Sequence, residues 1–353
     1  MRNINELNDL PVIDSHFHEG KIENVCENIN ALPSTLKTRR LTAMNILSLT
    51  SYKPDYVTQN PLCLLLKKMY PKEMFAFGAL DFALPGTVPD FAAQAKRLID
   101  LGFDGIKMIE GKPDVRKPFN VPLDSKIYDD YYALLENRQT PIIFHNADPE
   151  TFWNLDTVPE WARASGWNYA DGTWPGKETL YKEMEGILKK FPKLNIIFAH
   201  FYFLSADVMR ASEFLDRWPG VKLDLTPGVE MYENFSIVPE KWREFFIKYQ
   251  DRILLGTDDG LETESRSLLG LVRTFLETND EFYVKDFQMD VKGIHLEKEV
   301  LEKIYYKNFQ KYVAKEPKKP NIDLALAECE RIKTMASKSL IKEINEIQKR
   351  LAK

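Results

Sequence analysis

Short apolar stretches rich in β-branched residues recur along the chain, and longer amphipathic stretches separate them. Runs of this length with few polar positions are typical of strands that are buried on both faces of a parallel sheet. They predict eight strands, at residues 12–18, 45–50, 74–80, 105–111, 142–148, 195–201, 221–228 and 253–260. Six of the seven intervals between their starts are 26 to 37 residues long, which fits one strand–loop–helix–loop unit each.

The stretches between these strands carry apolar residues at helical spacing. Residues 89–102 are the clearest case, because Phe91, Ala95 and Leu98 share one face and Gly102 can end the helix in a left-handed conformation. Strands alternating with helices predict an α/β fold, a closed (β/α)8 or TIM barrel. An open flavodoxin-like sheet is the competing architecture, and we prefer the barrel because the chain has eight strands and lacks a glycine-rich phosphate loop.

We place the barrel domain at residues 1–313. Two segments, one within this domain and one after it, are additions to a minimal barrel. The longest interval, 53 residues, contains an insert at 148–177 that holds four of the six tryptophans. Long loops after barrel strands usually belong to the active-site face, so the insert is either a substrate lid or a small packed subdomain. A C-terminal extension follows at 314–353, and its pattern at 322–351 predicts one amphipathic helix that either straps the barrel or contacts a second subunit.

The composition excludes several classes of protein. Hydrophobic residues make up 44% and charged residues 29% of the 353 residues, which is typical of a globular protein and not of a disordered one. The net charge is −5 and the chain has no long basic block, so we expect no nucleic-acid partner. The chain has no apolar run of membrane-spanning length and three widely spaced cysteines, so we expect a cytoplasmic protein without membrane association.

Four of the five histidines lie in predicted strands, near their carboxyl ends. His16 and His18 are two residues apart in the first strand and therefore point to the same face, whereas His145 and His200 belong to the fifth and sixth strands. Asp258 ends the eighth strand, which closes the barrel beside the first. Imidazoles and a carboxylate at one barrel mouth are suitable ligands for a zinc-like cation, which lowers the pKa of bound water. The sequence therefore predicts a metal site.

These motifs, in this order, resemble those of the amidohydrolase superfamily, specifically the amidohydrolase-related (amidohydrolase 2) branch of metal-dependent hydrolases and decarboxylases. The matching pieces cover about residues 10–313: HFH at 16–18, FHNAD at 144–148, IFAHF at 197–201, GTDD at 256–259 and the closing helix with Asn308. The resemblance implies a TIM barrel with one divalent metal ion, held by His16, His18, His145 and Asp258. It also implies catalytic roles for His200 and Asp258.

The resemblance leaves the reaction open. Our main expectation is that metal-activated water attacks an amide, ester or lactone carbonyl of a small-molecule substrate. The alternatives are non-oxidative decarboxylation of an aromatic or enoic carboxylic acid by the same residues, and a non-catalytic barrel that binds a metal or a ligand. Zinc is the metal that these ligands favour, with manganese or iron as alternatives.

Two further points stay open at this stage. A second metal would be held through Lys107 or Glu110 of the fourth strand, and Lys107 or Arg163 is a candidate to bind a substrate carboxylate. The C-terminal helix leaves a homodimer open.

Overall fold

The computed structural model describes residues 1–18, 22, 25–49, 57–81, 89–228, 230–260 and 268–353. Its main sheet has the strand order β8-β7-β6-β5-β4-β3-β2-β1-β9, and every neighbouring pair is parallel. The strands are β1 (Ile13–His18), β2 (Ala43–Leu47), β3 (Met74–Ala79), β4 (Gly105–Gly111), β5 (Ile142–Asn146), β6 (Ile196–Phe198), β7 (Val221–Asp224), β8 (Ile253–Leu254) and β9 (Asp259–Gly260). All eight predicted strands are present, with the last one divided by a bend into β8 and β9. Residue 50, the end of the second prediction, lies outside the described residues.

The sheet closes between its first and last strands. The amide of Ser15 donates to the carbonyl of Leu255 at 3.0 Å, and the amide of Asp258 donates to the carbonyl of His16 at 2.8 Å. Beyond these bonds, β9 pairs in parallel with the end of β1. The fold is therefore an α/β TIM barrel, which confirms the architecture predicted from the spacing of the strands.

Helices alternate with these strands, and further helices lie in the insert, at the closed end of the barrel and in the C-terminal extension. In the described part of the chain they are α1 (Val25–Thr38), α2 (Asn60–Met69), α3 (Phe91–Leu101), α4 (Pro113–Phe119), α5 (Asp129–Arg138), α6 (Glu160–Ala164), α7 (Lys177–Lys190), α8 (Val208–Arg217), α9 (Met231–Ile237), α10 (Pro239–Lys248), α11 (Leu268–Glu277), α12 (Lys298–Glu302), α13 (Asn308–Tyr312), α14 (Ile322–Lys333) and α15 (Lys338–Ala352). None of these helices combines the length and the apolar composition needed to cross a bilayer. A hairpin of β10 (Glu281–Val284) and β11 (Met289–Lys292) lies between α11 and α12 and was not predicted.

The amino-terminal end of the barrel is filled by side chains. Phe309 of α13 packs edge-to-face on Phe75, with the ring centroids 4.9 Å apart. The Asn308 amide donates to the backbone carbonyls of Gln250 and Ile253 at 2.7 and 2.8 Å. These contacts leave the carboxyl ends of the strands as the open mouth, which is where the active sites of TIM-barrel enzymes lie.

The C-terminal extension corrects one prediction, because it contains two helices instead of one. Ser337 begins the second helix, α15, by accepting a hydrogen bond from the amide of Leu340. The helices fold back on each other, since the Lys333 ammonium of α14 reaches the side chain of Asn345 in α15 at 3.1 Å. The amphipathic pattern continues through both helices and so predicted one. The N-cap at Ser337 is the local signal that divides them.

The apolar face of α15 is buried against the barrel of the same chain. Leu340, Ile344, Ile347 and Leu351 are at most 9% exposed, and Lys68 of α2 donates to the carbonyl of Leu351 at 2.7 Å. The extension is therefore a strap over the outer helices. The homodimer stays a prediction, and this apolar face is already covered within the chain.

We expect Ile344→Ala to lower the free energy of unfolding by roughly 2–5 kcal/mol, because it leaves a cavity at a fully buried position. Urea unfolding followed by circular dichroism measures the change. Lys342→Ala, at an exposed position of the same helix, is the control and should leave stability nearly unchanged. Equal effects of the two substitutions would contradict packing of the strap on the barrel.

Candidate metal centre

Two imidazoles and one carboxylate meet at the mouth of the barrel. The Nε2 atoms of His16 and His18 lie 3.5 and 3.0 Å from Oδ1 of Asp258. One ligand atom from each of these three residues lies within 4.8 Å of the other two. Two nitrogens and a carboxylate oxygen at this spacing fit a zinc-like divalent cation.

Backbone geometry explains why these three side chains converge. His16 and His18 both face the barrel interior, as expected for residues two apart in a strand. Asp258 has a φ of 61° in the bend between β8 and β9, a left-handed conformation that aspartate tolerates better than most residues. The bend is held from below, because Asp14 accepts hydrogen bonds from the Thr257 hydroxyl at 2.5 Å and the Thr257 amide at 3.1 Å. Burial raises the pKa of the Asp14 carboxyl to about 7.

The second ring nitrogen of each histidine is engaged on its far side. Nδ1 of His16 lies 2.8 Å from Oδ2 of Asp224, and Nδ1 of His18 lies 3.1 Å from the carbonyl oxygen of Leu47. Each Nδ1 therefore carries the hydrogen and donates, which leaves the lone pair on Nε2, the atom that faces Asp258. Burial lowers the pKa of His16 well below its usual range, so this imidazole is neutral at pH 7.

Asp224, at the end of β7, also joins the first and sixth strands. It is fully buried, and while Oδ2 faces His16, Oδ1 accepts the backbone amides of His200 and Thr226 at 3.0 and 3.1 Å. The sequence analysis missed this residue. The available signal was its position, because Asp224 is a carboxylate in the predicted seventh strand, which leads to the same mouth.

His200 lies beside the three converging side chains. It begins a left-handed turn, His200 to Phe203, with φ values between 50° and 55°, and its ring centroid is 5.6 Å from that of His16. Its Nδ1 atom is buried and has no hydrogen-bond partner among the described residues. Burial lowers the pKa of His200 to about 4, so this imidazole is neutral at pH 7.

His145, at the end of β5, lies in the same pocket but outside the tightest group. Its ring centroid is 4.7 Å from that of His200, yet its nitrogens do not belong to the set of atoms that all lie within 4.8 Å of one another. Nε2 of His145 contacts Oδ1 of Asp148 at 3.1 Å, a partner that the sequence analysis also missed. Metal ligation by His145 therefore stays a prediction.

These side chains line a pocket of about 400 Å³. Its upper walls are aromatic and are formed by Phe152, Trp161, Trp167 and Phe203. The first three belong to the insert, which also has a small buried cluster of its own that includes Tyr169. The insert is thus both a packed unit and a wall of the pocket, so the two sequence-based interpretations apply together.

Lys107 and Glu110, the two candidates for binding a second metal, lie in different environments. Lys107 lines the pocket with Nζ 3.2 Å from Nε2 of His16, and burial lowers its pKa to about 8. Glu110 is not among the lining residues. Its carboxyl lies near Tyr131 of α5, whose pKa is raised well above its usual value mainly by burial and secondly by Glu110. Of the two candidates left open for a second metal, Lys107 lines the pocket and Glu110 does not. Arg163 is also outside the pocket, and its exposed side chain donates to the carbonyl of Leu155.

A sequence profile of the amidohydrolase family (Amidohydro_2) matches residues 13–310. The chain belongs to this family. No curated protein matches the chain in a search by sequence.

Several solved structures share the fold of this chain. An uncharacterised TIM-barrel protein from Bordetella bronchiseptica is 14% identical, with a TM-score of 0.55 over 87% of this chain and 99% of its own. The 4-oxalomesaconate hydratase of Rhodopseudomonas palustris is 13% identical, with a TM-score of 0.54 over 91% and 99%. The 2,6-dihydroxybenzoate decarboxylase of Rhizobium is 14% identical, with a TM-score of 0.53 over 86% and 98%. Structural similarity at such low sequence identity shows a shared fold only. The names of the hydratase and the decarboxylase show that proteins with this fold catalyse different reactions.

We expect Asp224→Asn to weaken zinc binding about 10- to 100-fold, because it replaces the carboxylate that fixes the ring of His16. Competition with a chromophoric chelator measures the dissociation constant. Asp216→Asn, at an exposed carboxylate of α8, is the control and should not change it. Unchanged affinity in both variants would show that Asp224 does not support the metal centre.

Proposed function

We propose that this amidohydrolase is a metal-dependent hydrolase that cleaves an amide, ester or lactone bond in a small substrate. The observation that carries the proposal is the convergence of His16, His18 and Asp258 at the base of a pocket. His200 lines the same pocket, and its Nδ1 has no partner among the residues that the structure describes. A divalent cation bound there supplies a Lewis acid for the carbonyl and lowers the pKa of water.

The side chains of the site have two proposed roles, metal ligand and proton carrier, and Asp258 has both. His16, His18, His145 and Asp258 would hold one cation, for which zinc is the first candidate and manganese or iron are the alternatives. His200 lines the pocket and is neutral at pH 7 because burial lowers its pKa to about 4, so its imidazole can accept a proton from the attacking water. His200 or Asp258 then returns a proton to the leaving group.

The walls of the pocket indicate the substrate class. Aromatic rings form the outer part, and none of the described lining residues is an arginine. The Lys112 ammonium at this end is already paired with Asp114 and Asp148, at 3.4 and 3.1 Å. We therefore expect a flat, mainly apolar substrate whose polar group lies at the metal end.

A second candidate is a non-oxidative decarboxylase. The observation that favours it is the Lys107 ammonium, 3.2 Å from Nε2 of His16 at the base of the pocket, where it can bind a substrate carboxylate. The two reactions differ in their products. Release of CO2 without consumption of water identifies the decarboxylase, and net consumption of water identifies the hydrolase.

The metal content tests the proposal directly. We expect about one divalent ion per chain in protein purified without chelator or nickel resin, because the site offers one set of three or four ligands. The double variant His16→Ala/His18→Ala should bind none, whereas His295→Ala, outside the pocket, should bind as the wild type does. Elemental mass spectrometry measures each value. Wild-type protein without metal after supplementation with zinc, manganese, iron and cobalt would refute the proposal, and two ions would favour a role for Lys107.

The role of His200 is tested separately. We expect His200→Asn to keep the metal and to lower kcat about 10²- to 10⁴-fold, because it removes a proton acceptor and not a ligand. Wild-type activity is first sought on aromatic amides, esters, lactones and carboxylic acids. The non-catalytic barrel would be supported if the metal-loaded wild type turns over none of these compounds. In that case the wild type and His200→Asn should also bind them equally tightly.

A further inference from the structure

Asp148 connects the aromatic insert to the metal centre. It follows β5 and is only 3% exposed, and Oδ1 lies 3.1 Å from Nε2 of His145. Oδ2 accepts hydrogen bonds from the Tyr169 hydroxyl at 2.6 Å and from the Lys112 ammonium at 3.1 Å. One carboxylate thus has partners from three segments: the end of β5, the insert and the loop between β4 and α4.

This arrangement determines which nitrogen of His145 carries its hydrogen. A carboxylate that faces an ammonium group and a hydroxyl donor is ionised and can only accept hydrogen bonds. Nε2 of His145 must therefore donate to Asp148. In a neutral imidazole the lone pair then lies on Nδ1, so Nδ1 is the atom that His145 can offer to a metal ion.

The insert fixes the two donors on Oδ2. Tyr169 is 2% exposed, its amide donates to the carbonyl of Phe152 at 2.8 Å, and its ring packs on those of Trp153 and Trp174 at 4.9 and 5.0 Å. The Lys112 ammonium lies 4.1 Å above the ring of Trp167, another insert residue. The packing of the insert therefore sets the positions of both groups that orient Asp148.

We propose that Tyr169 and Lys112 are positioning residues of the metal centre, which act through Asp148 to hold His145 with its hydrogen on Nε2 and with Nδ1 free for the metal. The insert is then a structural part of this centre as well as a wall of the pocket. The inference rests on the proposed function, in which His145 is a metal ligand.

Nuclear magnetic resonance of metal-free protein labelled with ¹⁵N-histidine tests the orientation without any metal. The chain has five histidines, and His145→Gln identifies the signals of His145. We expect the wild type to show the Nε2–H tautomer at this ring, Asp148→Asn to show a mixture, and Tyr169→Phe to shift part of the population. Tyr305→Phe is the matched control, because its buried hydroxyl also donates to a carboxylate, Glu277, at 2.8 Å, outside the pocket.

Zinc affinity, measured by chelator competition, provides the second readout. We expect Asp148→Asn to weaken binding about 10- to 100-fold and Tyr169→Phe by a smaller factor, since the loss of an outer partner lowers metal affinity by this order. The double variant should bind no more weakly than Asp148→Asn alone, because both changes act on one hydrogen-bonded chain. Lys112→Met is a second variant that removes the ammonium group and should behave like Tyr169→Phe.

The outcomes separate this inference from the proposed function. It is overturned if Tyr169→Phe and Lys112→Met give the tautomer and the affinity of Tyr305→Phe, or if the effects of Tyr169→Phe and Asp148→Asn are additive. If the tautomer responds as expected but the wild type binds no metal, the proposed function fails while the positioning of His145 by the insert is upheld.

Discussion

The closure of the barrel also forms the candidate metal centre. The hydrogen bond from the Asp258 amide to the His16 carbonyl joins the last strand to the first, and the same two residues bring their side chains together at the mouth. The left-handed backbone of Asp258 makes both contacts compatible, because it bends the chain between β8 and β9 while the carboxylate stays turned toward the histidines. Barrel closure and ligand placement therefore depend on the same backbone bend.

Burial gives the centre its electrostatic character. It lowers the pKa values of His16, His145 and His200, so that neutral rings surround the mouth at pH 7. Burial opposes ionisation of Asp258, but His16, His18 and His200 hold the pKa of that carboxyl below its usual range, because any proton that one of these rings takes up stabilises the charged carboxylate. An ionised carboxylate among neutral imidazoles is the charge state that a divalent cation needs, because ligands must be deprotonated to bind it.

Elements set by local pattern could be predicted from the sequence, and contacts between distant segments could not. Strands buried on both faces need continuous apolar runs, so their positions and the histidines at their ends were visible. The pairing of Asp224 with His16 joins residues 208 positions apart, and no local pattern reveals it. The left-handed turn at His200 and the bend at Asp258 end β6 and β8 earlier than predicted. The sequence did not reveal these ends, because the left-handed conformations occur here at residues other than glycine.

The hydrogen bonds behind the histidines separate the three proposed metal ligands from His200, the proposed proton carrier. His16, His18 and His145 each have one ring nitrogen engaged on the far side, by Asp224, the Leu47 carbonyl and Asp148 respectively. A metal ligand benefits from this restraint, since it fixes both the tautomer and the ring orientation. His200 is held by its backbone amide and by stacking on Phe203 at 5.2 Å, while Nδ1 has no partner in the described part of the chain. Because the orientation of this ring does not depend on a hydrogen bond to Nδ1, the ring is suited to gain and lose a proton, which is what the proposed acid–base role requires.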